Sequence, residues 1–212
     1  MNPNKALSLF HHRYVPGDSV GPPLTLLLLH GTGGDEDDLL PLGPYLAPGA
    51  ALLSPRGRVL ENGAPRFFRR IAEGVFDEED LKLRTQELAE FVREARKEYA
   101  LEDRRLVAVG FSNGANIGGG LLLVRPELLD GAILFRGMVP FTPDTPPPLG
   151  GKAVFLGAGR ADPLVRPAEA ERWAAILRAA GADVTLQWSA MGHALGQEDV
   201  DAAREWLRGK FV

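Results

Sequence analysis

Apolar residues occur in short, separate runs along the chain, and the spacing of these runs predicts alternating strands and helices. Residues 24–29 read LTLLLL, which is typical of a strand buried on both faces of a parallel sheet. The segment 7–15 mixes polar and apolar residues and predicts a first strand at a sheet edge. Similar apolar runs predict further strands at 50–54, 106–109, 131–135, 152–156 and 183–188.

Between these runs, apolar residues recur at helical spacing. The clearest case is 81–99, which follows the acidic residues of 77–80 and predicts an amphipathic helix. Helices are also predicted at 167–180, at 197–208 and after Asn116, where Gly118 to Gly120 would allow close packing against the sheet. Asp35 to Asp38 resemble a helix N-terminus. The alternation predicts one α/β domain over 1–212 with a mainly parallel sheet, and we find no internal repeat or linker.

Composition narrows the classes of function. A formal net charge of -4 gives no basic face for nucleic acid, and the absence of cysteine excludes disulfides, thiolate nucleophiles and cysteine-based metal sites. Adjacent strand residues point to opposite faces, so His11 and His12 are expected to be surface or packing residues and not metal ligands. No apolar run is long enough to span a bilayer, and the N-terminus lacks the apolar region of a signal peptide. We therefore expect a cytoplasmic protein that acts on a small molecule, without a metal or cofactor.

The segment LVAVGFSNGAN, at 106–116, carries the first chemical signal. An apolar strand leads into G-x-S-x-G and small residues follow, which is the strand–turn–helix setting of a nucleophile elbow. Glycines at 110 and 114 would let the chain turn sharply enough to lift the Ser112 hydroxyl clear of the sheet. The alternative is a glycine-rich turn that contains an ordinary serine.

The loop HGTGGD, at 30–35, carries the second signal because it follows the most apolar strand directly. It matches neither phosphate-binding glycine motif. A loop of this type can lend a backbone N–H to an oxyanion, and the donor would be that of Thr32. A tight turn without a chemical role is the alternative.

A base and an acid complete a candidate triad. Asp162 and His193 each lie in a loop that follows a predicted strand, and with Ser112 they occur in the order nucleophile, acid, base. Asp144 and Asp183 are rival acids. Asp144 lies in a proline-rich loop, and Asp183 lies at the start of a strand, at the wrong end of the sheet for catalysis.

Two irregular segments, 55–76 and 136–148, are candidate flaps over the site. Since the sheet and helices use nearly all of the chain, no cap domain is expected, and the pocket should be shallow. Candidate wall residues are Phe67, Phe68, Met138 and Leu164, each of which could instead be ordinary core. The first flap, which includes Arg66, is rich in arginine. Its arginines either favour a substrate with a carboxylate or are simply solvated. They are Arg56, Arg58, Arg66, Arg69 and Arg70.

Over nearly its whole length the chain resembles the small phospholipase/carboxylesterase branch of the α/β-hydrolases, which includes acyl-protein thioesterase-like enzymes. The matching segments are LLLLHGTGGDEDDL, PRGRVLENGAPRFFRR, GFSNGANI, GRADPLV and GHALGQEDV. The resemblance implies metal-free hydrolysis of carboxylic esters, often with short acyl chains. It also implies Ser112 as nucleophile, Asp162 as acid and His193 as base, with the backbone N–H groups of Thr32 and Asn113 as oxyanion hole. Position 113 departs from the Gln or Asp often found there.

Other functions remain open at this point. The same triad serves esters and thioesters, so a thioesterase or a lysophospholipase-type acyl hydrolase is an alternative to a carboxylesterase. A non-catalytic α/β-hydrolase that only binds a ligand is a further alternative, although no triad member is missing from the sequence. An apolar flap would serve either a substrate or a homodimer interface.

Overall fold

The computed structural model describes residues 6–212, in which strands and helices alternate as the hydrophobic pattern predicts. The strands are β1 (His12–Val15), β2 (Leu24–Leu29), β3 (Ala51–Pro55), β4 (Val59–Glu61), β5 (Ala64–Arg66), β6 (Arg70–Ala72), β7 (Val75–Phe76), β8 (Arg105–Phe111), β9 (Gly131–Phe135), β10 (Ala153–Gly159) and β11 (Asp183–Ser189). The α-helices are α1 (Leu42–Leu46), α2 (Glu78–Glu98), α3 (Asn113–Val124), α4 (Pro167–Ala179) and α5 (Gln197–Phe211). Short 3-10 helices cover Leu7–Leu9 and Pro126–Leu128.

One seven-stranded sheet organises the molecule, with the strand order β1-β3-β2-β8-β9-β10-β11. Every neighbouring pair is parallel except β1 with β3, which is antiparallel and places β1 at an edge. The central strand β8 pairs with β2 on one side and with β9 on the other. Loops that follow the parallel strands therefore meet at one edge of the sheet, where α/β proteins place their ligand sites.

Side chains alternate along β2 between two apolar cores, one on each face of the sheet. Leu27 and Leu29 join a core with residues of α2, α3 and α4, whereas Leu24, Leu26 and Leu28 join a core with residues of α1 and α5. All six residues of β2 are buried. This double burial explains why five of the six residues of β2 are leucine, and it confirms the interpretation of that run.

Three sequence predictions need correction. The expected strand 7–15 is a 3-10 helix followed by the four-residue β1. No helix begins at 35–38 as expected. The chain forms turns there, and the first α-helix begins only at Leu42. The segment 55–76, expected to be irregular, forms two antiparallel hairpins, β4–β5 and β6–β7. Asn62 and Gly63, which both have positive φ, make the turn of the first hairpin.

The three consecutive glycines of α3 lie against neighbouring elements, as the sequence suggested. A Cβ on Gly118 would come within 3.2 Å of Leu29 on β2, and one on Gly119 would lie 2.9 Å from the Trp173 ring on α4. A side chain at Gly118 would require the neighbouring leucine methyl groups to move by a few tenths of an ångström, and one at Gly119 would require the Trp173 ring to shift. None of the helices between residues 6 and 212 is long and apolar enough to cross a membrane.

Candidate active site

Ser112 lies at a sharp turn between β8 and α3. Its backbone has φ 51° and ψ -112°, a strained conformation for a residue with a side chain, which costs on the order of 1–3 kcal/mol. A Cβ on Gly114 would lie 1.9 Å from the Leu29 carbonyl oxygen, and one on Gly110 would lie 2.5 Å from that of Gly114. The two glycines thus permit close backbone contacts that hold the serine in its strained position.

Ser112, His193 and Asp162 form a continuous chain of hydrogen bonds. The distance between Ser112 Oγ and His193 Nε2 is 2.9 Å, and that between His193 Nδ1 and Asp162 Oδ2 is also 2.9 Å. Because a carboxylate can only accept, Nδ1 carries the imidazole proton and Nε2 is free to accept one from the serine. A serine hydroxyl in this arrangement can lose its proton to the imidazole and act as a nucleophile.

Asp162 is held by the loop that follows β10. Its Oδ1 accepts hydrogen bonds from the backbone N–H groups of Leu164, at 2.8 Å, and Val165, at 3.0 Å, which leaves Oδ2 for the histidine. The two rival acids lie elsewhere. Asp144 is exposed in the loop after β9, and Asp183 forms an ion pair of 2.7 Å with Lys210 at the start of β11.

The two predicted oxyanion residues, Thr32 and Asn113, lie on different elements of the fold. Asn113 is the first residue of α3, so its N–H has no acceptor within the helix. Thr32 lies in the loop after β2, and its Oγ1 accepts a 2.7 Å hydrogen bond from Nη1 of Arg66. Thr32, Asn113 and Ser112 all line one cavity. Both predicted oxyanion donors therefore belong to residues that border the serine.

This cavity has a volume of about 220 Å³. Met138 and Leu164 line it, as the sequence suggested, together with three further apolar residues: Phe76, Phe111 and Val165. A wider groove of about 590 Å³ lies next to it, and Met138 and Leu164 border both spaces. Of the second flap segment, 136–148, only Arg136 and Met138 line the cavity.

The prediction that Phe67 and Phe68 form the pocket wall is wrong. Both rings are buried in the core, with exposures of 2% and 0%, and neither borders the cavity. Phe67 packs against the His30 ring at a centroid distance of 4.7 Å, and Phe68 packs edge-on against Phe76 at 5.1 Å. The two phenylalanines anchor the first flap beneath the site, whereas Phe76 faces the cavity.

The arginines of the first flap form ion pairs with nearby carboxylates. Arg66 is 3% exposed, and its Nε lies 3.3 Å from a carboxylate oxygen of Glu61. Burial lowers the pKa of the Arg66 guanidinium from its ordinary value. The other pairs are Arg56 with Glu36, Arg58 with Glu87, Arg69 with Asp77 and Arg70 with Glu61. Arg56, Arg58 and Arg69 thus tie the flap to the rest of the domain, whereas Arg66 and Arg70 pair with Glu61 inside the flap.

His30, at the end of β2, links the glycine-rich loop to the first flap. The Gly57 N–H donates a 2.9 Å hydrogen bond to His30 Nε2, so the imidazole proton is on Nδ1, which donates to the Gly31 carbonyl oxygen at 2.7 Å. Burial lowers the pKa of His30 below its ordinary value. His11 is exposed, and His12 bonds to Tyr99. No group of three His, Asp or Glu in 6–212 is arranged to hold a metal ion.

Sequence reasoning missed two polar residues next to the triad. Asn116, four residues after Ser112, accepts a 2.7 Å hydrogen bond on its Oδ1 from the Met138 N–H. Arg136, the first residue after β9, is buried and also borders the cavity. Arg136 directly follows the carboxyl end of a central strand. Because the other predicted site residues also lie in loops that follow strands, the sequence could have indicated Arg136 as a site residue.

The sheet and its flanking helices define an α/β-hydrolase fold, with the hydrogen-bonded Ser112, His193 and Asp162 at its carboxyl edge. The family model of the phospholipase/carboxylesterases matches residues 21–210. The chain therefore belongs to that family. It is 48% identical over 201 residues to MhqD of Bacillus subtilis strain 168, covering 95% of this chain and 99% of MhqD.

Solved structures agree with this assignment. The Bacillus cereus carboxylesterase superposes with a TM-score of 0.93 at 46% identity over 100% of both chains. The carboxylesterase of Mesorhizobium loti superposes with a TM-score of 0.88 at 32% identity, covering 95% of each chain. The protein is thus an esterase-type hydrolase.

Proposed function

We propose that this protein hydrolyses carboxylic esters with short acyl chains through an acyl-enzyme on Ser112. The hydrogen-bonded chain from Ser112 through His193 to Asp162 carries the proposal, because both of its links are 2.9 Å long. His193 accepts the serine proton as Oγ attacks the ester carbonyl, and Asp162 stabilises the imidazolium that forms. The N–H groups of Thr32 and Asn113 hold the oxyanion.

Departure of the alcohol completes acylation, and deacylation then repeats the same proton transfers with water as the nucleophile. The imidazolium of His193 donates its proton to the departing alcohol, and the acyl group stays bonded to Ser112 Oγ. Water then attacks the acyl carbonyl as His193 takes one of its protons, and the acid leaves when Ser112 Oγ recovers a proton from the imidazolium. No step needs a metal or cofactor.

The preference for short acyl chains rests on the size of the cavity. Its volume of about 220 Å³ is smaller than the roughly 300–1,000 Å³ typical of sites for drug-sized ligands. Met138 and Leu164 border both this cavity and the wider groove next to it. In this proposal the acyl group fills the cavity, and the alcohol group extends along the groove. Phe76, Met138 and Leu164 form the wall, and Arg66 positions Thr32 through its hydrogen bond to the threonine hydroxyl.

A ladder of p-nitrophenyl esters, from acetate to long acyl chains, tests the proposal. Wild-type protein is expected to have its highest kcat/KM on the short esters, and Ser112→Ala is expected to lose several orders of magnitude of rate. The matched control Ser8→Ala lies in the N-terminal 3-10 helix, far along the chain from the site, and should retain activity.

Two other outcomes would change the function assigned. A folded wild-type protein without activity on any ester of the ladder would contradict the esterase proposal. Activity on acyl thioesters alone would favour the thioesterase alternative, and ligand binding without turnover would favour a non-catalytic role. The possible homodimer and the cytoplasmic location stay predictions of the sequence.

A further inference from the structure

Arg136 enters the loop after β9 in an unusual backbone conformation. Its φ is 54°, in the left-handed region that residues with a side chain rarely adopt, and its N–H donates a 2.8 Å hydrogen bond to the Gly157 carbonyl oxygen on β10. Its side chain is completely buried. Such strain persists only where the surrounding structure requires it, and it is concentrated at functional sites.

The Arg136 guanidinium binds the histidine loop on both sides of His193. Its Nε donates a 2.9 Å hydrogen bond to the Gly192 carbonyl oxygen, and its Nη2 donates one of 3.1 Å to that of Ala194. The two acceptors are the residues immediately before and after His193. Their backbone positions set the direction in which the imidazole projects.

A buried carboxylate holds the guanidinium in turn. Nη1 and Nη2 of Arg136 lie 3.0 and 2.6 Å from the two carboxylate oxygens of Asp199, and neither side chain has any exposed surface. Nη2 also donates to Ser189 Oγ at 3.2 Å, at the end of β11. Asp199 Oδ2 further accepts the Gly196 N–H at the start of α5. One arginine thus connects the end of β11, the histidine loop and the start of α5.

A buried ion pair adds little stability compared with apolar residues of similar volume, so stability alone does not explain this one. In some proteins such a pair instead specifies one arrangement of the groups around it. The planar fork of an arginine can satisfy a carboxylate and several carbonyl oxygens together, whereas a lysine ammonium cannot match that geometry.

We propose that Arg136 is the positioning residue of His193: it fixes the loop 189–196 so that the imidazole reaches Ser112 and Asp162 at once. The inference rests on the proposed function, in which His193 is both base and acid. Poor positioning should therefore matter most when the leaving group must be protonated. A p-nitrophenolate leaves readily without a proton, whereas an alkoxide does not.

The test compares kcat/KM for p-nitrophenyl acetate and for an alkyl acetate in wild type and Arg136→Lys. A misplacement of this kind costs about 100-fold, so we expect that loss on the alkyl ester, with a smaller loss on the p-nitrophenyl ester. The matched control is Arg104→Lys, since Arg104 donates to the carbonyl oxygens of Pro22 and Leu24 at the opposite end of β2. This control should keep the wild-type ratio.

Active sites are titrated with a fluorophosphonate so that a fraction of inactive protein is not mistaken for a lower rate per active site. If Arg136 has a merely structural role, kcat/KM should fall equally on both esters, by the fraction of protein that the fluorophosphonate does not label. That result, or no fall in kcat/KM on either ester, would overturn the proposal. If Arg136→Lys does not fold, Arg136→Met with Asp199→Leu replaces the pair by apolar residues and is tested in the same way. An inactive wild type would contradict the proposed function itself, whereas an active wild type with an unchanged ester ratio in the variant contradicts only this inference.

Discussion

The side-chain oxygen of Asn113 accepts a 2.7 Å hydrogen bond from the backbone N–H of Phe67. The residue that follows Ser112 thereby holds the first flap, 55–76, against the helix that carries the site. Gly33 adds a second link, because its N–H donates a 2.9 Å hydrogen bond to the Pro65 carbonyl oxygen. The first flap is therefore attached both to the start of α3 and to the glycine-rich loop after β2.

Removing the Asn113 acceptor should loosen this flap. Asn113→Ala leaves a buried N–H at Phe67 without a partner, which is expected to cost about 1–3 kcal/mol of unfolding free energy. Trypsin should then cleave faster after Arg56, Arg58 and Arg66. Asn113→Asp is the control because it keeps an acceptor at a helix N-terminus, where negative charge is favoured. Equal cleavage rates in both variants would contradict the role assigned to Asn113.

The His30 imidazole makes stability depend on pH. Burial lowers the pKa of His30 in the folded protein, so the unfolded chain binds a proton more readily than the folded one. The unfolding free energy should thus decrease as pH falls below about 6.5, the unfolded value. His30→Gln should reduce this decrease, while the exposed control His11→Gln should not. Denaturant titrations between pH 7 and 5 measure both, and identical pH dependence in wild type and His30→Gln would refute the prediction.

Two glycines of α3 should respond in opposite ways to alanine. A Cβ on Gly114 would overlap the Leu29 carbonyl oxygen at 1.9 Å, so Gly114→Ala should displace Ser112 and abolish activity or folding. A Cβ on Gly118 would meet leucine methyl groups at 3.2 and 3.3 Å and the Ala108 Cβ at 3.9 Å. Gly118→Ala should fold, with a stability change within about 1 kcal/mol because better helix propensity offsets the tight contact. Thermal melting and ester turnover distinguish the two, and an active Gly114→Ala would contradict the geometry.

Leu164 should limit the length of the acyl chain. It borders both the cavity and the groove, so Leu164→Ala should join the two spaces and raise kcat/KM for longer esters relative to acetate by about tenfold. Leu83→Ala removes a comparably exposed leucine on α2 and serves as the control. An unchanged chain-length profile in Leu164→Ala would show that Leu164 does not form the wall.

Hydrophobic patterning was sufficient to predict the parallel sheet because the central strands β2, β8 and β9 are largely buried on both faces and therefore predominantly apolar. It also indicated Ser112, Asp162 and His193 as candidate site residues, since each follows a predicted strand, although β11, which precedes His193, is mostly half-buried. It could not locate the flap hairpins, whose strands have two or three residues and no core face of their own.

The sequence pattern also did not predict the direction in which individual side chains point. Phe67 and Phe68 were expected in the pocket because they lie in the flap sequence, yet the attachment of the flap to Asn113 and His30 turns both rings into the core. The role of Arg136 depends on contacts with residues 53 to 63 positions away, which no local pattern encodes.

The most direct test of the proposed mechanism is to detect the acyl group on Ser112. Wild-type protein is mixed with p-nitrophenyl acetate, quenched in acid during turnover, and analysed by intact and peptide mass spectrometry. The mechanism predicts one acetyl group on the peptide that contains Ser112, absent from Ser112→Ala, together with a burst of p-nitrophenol where deacylation is slower. An acetyl group on another residue, or full turnover by Ser112→Ala, would contradict it.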